Sequence, residues 1–358
     1  MKRKRYVIKG IVVLISLLFL IGLPLQDSWA KTKQIKLNLA TWGPPKGTAS
    51  TAIQWYADEV EKRTDGRVKV KIFWAGSLAK VKELPHACRT GAADMVAMIA
   101  VYFPELFPCF ASTMECMILW GGDIGGQLIE AYRKVREEFP QVRDEFKKQN
   151  QKLLGFWESN GLEVLSTKPI RSLADAKGVK IRVAGTVLPK IFKAGGFVPV
   201  TMPSTEAYDA ANRGVVDAMM ATVETAYKLK WYEICKHYTR TGLVGAIIGV
   251  GVTINQDVWD KLPSDVKDIM ELTGKELTNR YSCWLANENE KQEKIFRDAG
   301  MKFYRLPLAD RDAWKKKVAK STFEAYVRKM EKNKFPDARK VMQRFGELIG
   351  YKPWEYKE

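Results

Sequence analysis

An alternation of strand-like and helix-like segments, which occurs twice along the chain, constrains the fold more than any other feature. The first run covers residues 35–100 and the second covers residues 179–222. In each run, segments with apolar residues at every second position are separated by segments with apolar residues at helical spacing. The order strand, helix, strand, helix, strand is typical of a mainly parallel sheet with helices on its faces. Two such runs predict two similar α/β lobes.

Two further segments are predicted to join these lobes. Residues 264–299 contain one glycine, no proline and mostly helix formers, which predicts a helix about 50 Å long. Such a helix is longer than one small lobe needs, so it is expected to brace both. Residues 246–255 are apolar and interrupted by glycine, and they predict a strand that crosses between the lobes.

The amino terminus has the pattern of a secretory signal peptide. Basic residues at positions 2–5 precede an apolar run at 11–23, and Ser28-Trp29-Ala30 precede Lys31. A basic start, a short apolar core and small residues at the cleavage site predict export, with removal of residues 1–30. The apolar run is shorter than the roughly 20 residues of a membrane span. An uncleaved amphipathic anchor is the alternative.

Charge and cysteine content exclude some functions and favour others. The net charge is +18, and loss of the leader would leave +14. Because an exported chain rarely meets nucleic acid and the basic residues are scattered, this charge favours attraction of small anions or of a negative surface. The five cysteines are an odd number, so at least one thiol is expected to be unpaired, whereas Cys109 and Cys116 are close enough in sequence to bridge. No ligand spacing for zinc occurs, and no metal is expected.

The sequence contains none of the common catalytic motifs. His86 and His237 are its two histidines, and each is expected to be structural or exposed. An exported two-lobed chain without catalytic groups is predicted to be a binding protein that uses no cofactor, with its ligand between the lobes. An exported enzyme with Cys88 and His86 as its nucleophile and base is the competing hypothesis.

A strand at residues 179–183 carries the first candidate ligand-binding residue. Lys180 and Arg182 alternate with Val179, Ile181 and Val183, so both cations are predicted to share one face. This alternation leaves two possibilities for Arg182. It lies on a solvated edge, or it is a fixed cation that binds an anionic ligand.

Two stretches resemble the solute-binding subunits of tripartite ATP-independent periplasmic (TRAP) transporters. The first contains an Asp-x-Lys-Gly-x-Lys-x-Arg-Val motif at residues 175–183. The second contains Glu206, Tyr208 and a Gly-x-Val-Asp motif at residues 214–217. The resemblance extends to "IKLNLATW", "RTGAADM" and "VWDKLPSDVKDIM", and so covers nearly all of the chain after residue 30.

This resemblance implies a periplasmic protein of the two-lobed α/β periplasmic binding protein fold, with crossing strands and a long helix that spans both domains. The expected division is residues 1–30 for the signal peptide, 31–158 with 248–288 for lobe I, and 159–247 with 289–358 for lobe II. The resemblance also implies that Arg182 pairs with a substrate carboxylate. The planar fork of a guanidinium matches the two oxygens of a carboxylate. The implied partners are a small and a large membrane subunit, and we expect a monomer.

The chain departs from the family pattern at positions that contact the ligand in many members. Glu163 and Ala221 replace an arginine and an asparagine, and Tyr102 lies where acidic-sugar binders place a polar group. We therefore expect apolar or aromatic walls, with Glu158 and Asn160 able to reach a polar ligand group. The candidate ligand-binding residues are Trp42, Tyr102, Trp157, Glu158, Asn160, Arg182, Ser204, Met220, Ala221 and Thr222.

These residues predict a small organic anion as the ligand, namely a carboxylate with an apolar or aromatic body. A small sulfonate and a hydroxy acid are the alternatives, because Arg182 suits either group. Core packing is the competing role for Trp42, Trp157 and Met220. A sensory protein that presents its ligand to a receptor instead of a permease is the alternative function.

Overall fold

The computed structural model describes residues 34–116, 125–159, 161–184, 187–244 and 247–355. The predicted signal peptide and Asn160 lie outside these residues. The described strands form two sheets, one of five strands and one of six. This arrangement confirms the predicted two-sheet α/β architecture.

The first sheet contains the strands β1 (Ile35–Thr41), β2 (Val68–Phe73), β3 (Met95–Ile99), β4 (Gln151–Ser159) and β10 (Ile247–Asn255). Their order is β2-β1-β3-β10-β4. β1 is parallel to β3, whereas β10 is antiparallel to both β3 and β4. β1, β3 and β4 therefore run in one direction, and their carboxyl ends lie at one edge of the sheet.

The second sheet contains the strands β5 (Leu162–Ser166), β6 (Lys180–Val183), β7 (Val198–Thr201), β8 (Ala218–Ala221), β9 (His237–Val244) and β11 (Lys302–Arg305). Their order is β11-β9-β5-β8-β6-β7. β6 is parallel to both β7 and β8. β6 is therefore an interior strand, and the carboxyl ends of β6, β7 and β8 share one edge.

The described helices are α1 (Thr48–Arg63), α2 (Leu84–Thr90), α3 (Pro108–Cys116), α4 (Gly125–Glu138), α5 (Pro140–Arg143), α6 (Leu188–Ala194), α7 (Ala207–Asn212), α8 (Val223–Lys228), α9 (Gln256–Asp260), α10 (Ser264–Asp298), α11 (Leu308–Lys332) and α12 (Ala338–Leu348). The two predicted runs are confirmed as β1-α1-β2-α2-β3 and β6-α6-β7-α7-β8. Single 3-10 turns follow several strands.

Helix α10 contacts elements beside both sheets, as predicted. In the amino-terminal half of α10, both carboxylate oxygens of Glu276 accept from the Arg63 guanidinium of α1, at 3.0 and 2.8 Å. Near its carboxyl end, Glu293 accepts from the Arg240 guanidinium of β9 at 2.7 Å. Bidentate arginine–carboxylate pairs fix orientation as well as distance. The helix is therefore tied to the first sheet's layer and to the second sheet.

Helix α10 crosses β4 at two glycines. A Cβ on Gly274 would collide with the Leu154 carbonyl, and a Cβ on Gly155 would lie 2.9 Å from the Gly274 carbonyl oxygen. Thr278, one turn further along, accepts a hydrogen bond from the Phe156 amide at 3.1 Å. The absence of side chains at both glycines lets the two backbones approach this closely.

The carboxyl-terminal helices contact elements of both halves of the molecule. The Trp314 indole of α11 donates to the Ile191 carbonyl of α6 at 2.7 Å. In α12, Arg344 Nε lies 2.7 Å from Glu138 Oε2 of α4. One cluster of buried apolar side chains includes residues of both sheets, such as Met98 and Val183. We propose that the lobes divide as predicted from the sequence. The chain passes from the first sheet to the second between β4 and β5, and it returns between β9 and β10.

Candidate functional site

The Arg182 guanidinium is held in place by the strands that flank β6. Its Nε donates to the Met202 carbonyl at 3.0 Å, and its Nη1 donates to the Met220 carbonyl at 3.4 Å. Met202 follows β7 and Met220 belongs to β8, so each neighbouring strand contributes one acceptor. Only 6% of Arg182 is exposed. The solvated-edge interpretation of this arginine is therefore wrong.

Arg182 is a buried cation without a carboxylate partner. No acidic side chain of the described residues lies within 4.0 Å of the guanidinium, and burial alone lowers the pKa of Arg182 below its usual range. A guanidinium has five N–H donors, and the hydrogen bonds to Met202 and Met220 use two of them. Burying an uncompensated charge costs free energy unless an anion pairs with it.

Trp231 lies against this cation and was missed by the sequence analysis. The Arg182 Cζ atom lies 5.8 Å from the centroid of the Trp231 ring. Trp231 is fully buried, and its indole N–H has no hydrogen-bond partner among the described residues. It begins the 3-10 turn Trp231–Glu233, and a single turn has no periodicity that could have identified it.

Four other candidates lie at the same edge of the second sheet as Arg182. Ser204 is half-buried and begins the turn Ser204–Glu206 after β7. Met220 and Ala221 are buried at the end of β8. Thr222 caps α8 by accepting from the Thr225 amide at 3.1 Å. In parallel α/β sheets, ligands bind outside the carboxyl ends of the strands, so this edge is where a ligand is expected.

The carboxylate of Glu163 is hydrogen-bonded to β9, which flanks β5 on the side away from β8 and β6. Its carboxylate accepts from the Thr241 amide at 2.6 Å and from the Thr241 hydroxyl at 3.3 Å. Glu163 is also paired with Ala221 in the β5–β8 ladder. The side chain that replaces the family arginine therefore bonds to β9, and it does not neutralise Arg182.

Three aromatic candidates belong to the equivalent edge of the first sheet. Trp42 follows β1 and is half-buried, whereas Tyr102 lies in the turn after β3 and is 59% exposed. Trp157 is opposite Val250 in β10, which in turn is opposite Ile99 in β3. The register thus places all three aromatic residues at the carboxyl ends of β1, β3 and β4.

Trp157 is packed inside the protein, whereas a residue that lines an open ligand cleft would be partly exposed. It is 1% exposed, and its ring is stacked on Tyr281 of α10, with centroids 5.2 Å apart. Its indole N–H has no partner among the described residues. The backbone of Glu158 is paired with Ile248. The ligand roles of these residues and of Asn160 stay predictions.

The enzyme hypothesis based on Cys88 and His86 is wrong. The Cys88 side chain is fully buried, and burial raises the pKa of its thiol to about 12. His86 is exposed on the same helix. A thiol that is neutral and inaccessible is a poor nucleophile. In the described part of the chain, no three His, Cys, Asp or Glu side chains come together as a metal site.

Comparison with known protein families identifies solute-binding proteins as the relatives of this chain. Residues 39–329 match the family model named DctP, described as bacterial extracellular solute-binding protein, family 7. The C4-dicarboxylate-binding periplasmic protein DctP of Rhodobacter capsulatus is 29% identical over 275 residues, which are 75% of this chain and 79% of that protein. The 2,3-diketo-L-gulonate-binding periplasmic protein YiaO of Escherichia coli is 22% identical, over 77% of this chain and 82% of that protein.

Solved structures show the same fold. A TRAP periplasmic solute-binding protein from Desulfovibrio salexigens matches with a TM-score of 0.79 and 25% identity, over 91% of this chain and 98% of that one. In the ranges that the structure describes, no helix combines the length and the apolar character of a membrane span. The relatives and the solved structure named above are solute-binding receptors and not enzymes. The chain therefore belongs to family 7 of the bacterial extracellular solute-binding proteins, which are the periplasmic solute-binding proteins of TRAP transporters.

Proposed function

We propose that the protein captures a small organic monoanion, a carboxylate with an apolar or aromatic body, and delivers it to the two membrane subunits of a TRAP transporter. The observation that carries this proposal is the buried guanidinium of Arg182, which has no carboxylate partner in the described residues. Its remaining donors suit the two oxygens of a carboxylate. A bound anion would remove the cost of the unpaired charge.

The charge of the ligand follows from what surrounds Arg182. The family position that often supplies a second arginine carries Glu163, whose carboxylate is bonded to Thr241. One anchoring cation favours a ligand with one negative charge. The Rhodobacter capsulatus relative, 29% identical, is named for C4-dicarboxylates, which carry two carboxylates, so a monoanion would distinguish this chain from that protein.

The body of the ligand follows from the residues at the two sheet edges. Met220 and Ala221 bring no polar side-chain atoms other than sulfur to the edge beside Arg182, and Trp42 and Tyr102 end the strands of the first sheet. Pockets for small molecules combine apolar and aromatic walls with few polar groups. An aromatic or branched aliphatic acid therefore fits better than a sugar acid.

A thermal-shift screen tests this proposal. Aromatic and aliphatic monocarboxylates are expected to raise the melting temperature, because a ligand that binds only the folded state stabilises it by mass action. Matched sulfonates and hydroxy acids form the other arms of the screen. A shift with sulfonates alone, or with sugar acids alone, would contradict the proposed ligand class. Co-purification with small and large membrane subunits would separate transport from a sensory role.

A further inference from the structure

A cavity lies away from Arg182, on the side of β4 that faces α4 and α10. We call it the basic cavity. Its volume is about 430 Å³, within the size range of small-molecule sites. Its lining residues are Arg133, Arg136, Glu137, Arg143, Lys152, Leu153, Leu154, Phe156, Glu271, Lys275 and Thr278. None of the candidate ligand-binding residues lines it.

The charge of the basic cavity is strongly positive. Five cationic and two acidic side chains line it, which gives a net charge of +3. Glu271 is paired with Lys152 at 2.7 Å. Arg133 donates to Asn279 at 3.0 Å and lies 3.9 Å from Glu130. Arg143 lies 3.5 Å from Asp144. Three of the five lining cations therefore have an acidic partner, and the other two have no ion pair in the described residues.

Arg136 and Lys275 are the lining cations that have no ion pair in the described residues, and Arg136 is the less exposed of the two. Nε of Arg136 is buried and has no hydrogen-bond partner in the described residues. Lys275 is exposed on α10 and has no ion pair in the described part of the chain. Buried donors in folded proteins are nearly always paired. An unpaired arginine donor among four other cations thus points to a missing anion.

Glu145 is a buried acid that interacts with the charge of Arg136, but both of its oxygens bond elsewhere. Burial raises the pKa of Glu145 to about 8, although the amides of Cys109 and Phe110 and the charge of Arg136 lower it. Its oxygens accept from the amides of Cys109 and Phe110, at 2.5 and 3.1 Å. Glu145 therefore caps the start of α3 with both oxygens, and it does not accept a hydrogen bond from the buried Nε of Arg136.

We propose that the basic cavity is a second anion site, which takes a small oxyanion with at least two negative charges, such as phosphate or a polycarboxylate. Its cations come from four separate elements, α4, α5, β4 and α10, so one multivalent anion can pair with several of them at once. Arginine forks and lysine ammonium groups both bind such oxyanions. Leu153, Leu154 and Phe156 are the buried apolar residues of the lining, and charge pairs beside apolar groups are stronger than pairs in open water.

Titration calorimetry with inorganic phosphate, and separately with citrate, tests this proposal at pH 7.0 in low-chloride buffer. Saturable binding of at least one probe is expected, with a dissociation constant below about 1 mM. Arg136→Gln and Lys275→Gln are each expected to weaken it roughly tenfold, as loss of a charged hydrogen bond does. Because Lys275 is exposed, its variant keeps the test valid if Arg136→Gln folds poorly.

Two control variants distinguish binding in the basic cavity from general charge attraction and from binding at Arg182. Lys291→Gln removes another exposed charge from α10, outside the cavity, where Lys291 lies 3.5 Å from Glu288, and it is expected to leave affinity within about twofold. Arg182→Ala disables the proposed carboxylate site and is also expected to leave affinity within about twofold. The proposal is overturned if neither probe binds saturably, if Lys291→Gln weakens binding as much as Lys275→Gln, or if Arg182→Ala abolishes it.

Discussion

The guanidinium of Arg182 lies over the ring of Trp231, with 5.8 Å between Cζ and the ring centroid. An aromatic face attracts a cation, but by about 0.5–2 kcal/mol, which is less than the cost of burying an unpaired charge. The indole and the carbonyls of Met202 and Met220 thus fix the position of the cation without neutralising it. The fold therefore holds a buried cation whose charge no acidic side chain of the described residues neutralises.

Replacing Arg182 with methionine is expected to remove ligand binding and to stabilise the ligand-free protein. Methionine fills much of the same volume without a buried charge, and replacing buried charges with apolar groups is often neutral or stabilising. We expect a gain of about 1 kcal/mol in the free energy of unfolding. Urea unfolding of both proteins without ligand measures it.

The matched control is Lys180→Met on the same strand, because Lys180 is exposed. Its effect on stability is expected to stay within about 0.5 kcal/mol. A clear loss of ligand-free stability in Arg182→Met would show that the guanidinium is a structural group and not a strained binding group.

The buried carboxyl of Glu145 is expected to make stability depend on pH. Its pKa is raised to about 8 in the folded protein, against about 4.3 in an unfolded chain. Its contribution is fully present below the unfolded pKa and is lost as the pH rises through the folded pKa. The free energy of unfolding should therefore fall between pH 5 and about 8, and Glu145→Gln should flatten this fall.

Urea unfolding at pH 5.5, 7.0 and 8.5 measures this difference between the two proteins. Only the difference is informative, because other groups titrate in both. Parallel pH profiles for the wild type and Glu145→Gln would mean that Glu145 is ionised throughout this range.

The crossing of β4 and α10 is expected to tolerate no side chain at Gly274. In Gly274→Ala the new Cβ would meet the Leu154 carbonyl, so we expect a loss of about 2 kcal/mol or more in unfolding free energy. Gly126→Ala in α4 is the control, since a Cβ there meets nothing within 4 Å, and it should be neutral or stabilise by about 0.5 kcal/mol. Equal melting temperatures for the two variants would contradict the close approach.

Among the cysteines whose side chains the structure describes, accessibility to reagents separates the buried thiols from that of Cys283. The Cys88 and Cys235 side chains are buried, and burial raises the pKa of each thiol to about 12, whereas Cys283 is exposed. Alkylation of the native protein at pH 8 should therefore label Cys283 first, with Cys88 and Cys235 labelled only after denaturation. Peptide mass spectrometry reads the sites. Rapid native labelling of Cys88 would revive the enzyme hypothesis.

Much of the fold could be predicted because each element has a local signature. The two strand–helix runs and the helix Ser264–Asp298 follow from apolar spacing and helix formers. Strand order cannot be read locally, because it depends on contacts between distant segments. For this reason the alternation around Arg182 left an edge strand possible, whereas β6 lies between β7 and β8.

The candidate site was predictable only in part. The motif around Arg182 predicts this residue as the anion anchor, but nothing in the sequence marked Trp231, which lies beside Arg182 in a single 3-10 turn. Aromatic residues such as Trp157 look alike in a sequence whether they face a ligand or a helix. The stacking of Trp157 on Tyr281 depends on how α10 crosses β4, which is a tertiary relationship.

Calorimetry on Arg182→Ala, with an organic acid identified in the thermal-shift screen, tests the central claim most directly. We predict that affinity falls by about 2 kcal/mol or more, roughly 30-fold, because the ligand carboxylate would lose its charge partner. Lys180→Ala, which removes an exposed cation from the same strand, should bind as tightly as the wild type. Unchanged affinity in Arg182→Ala, or an equal loss in Lys180→Ala, would contradict the assignment of Arg182 as the anion anchor.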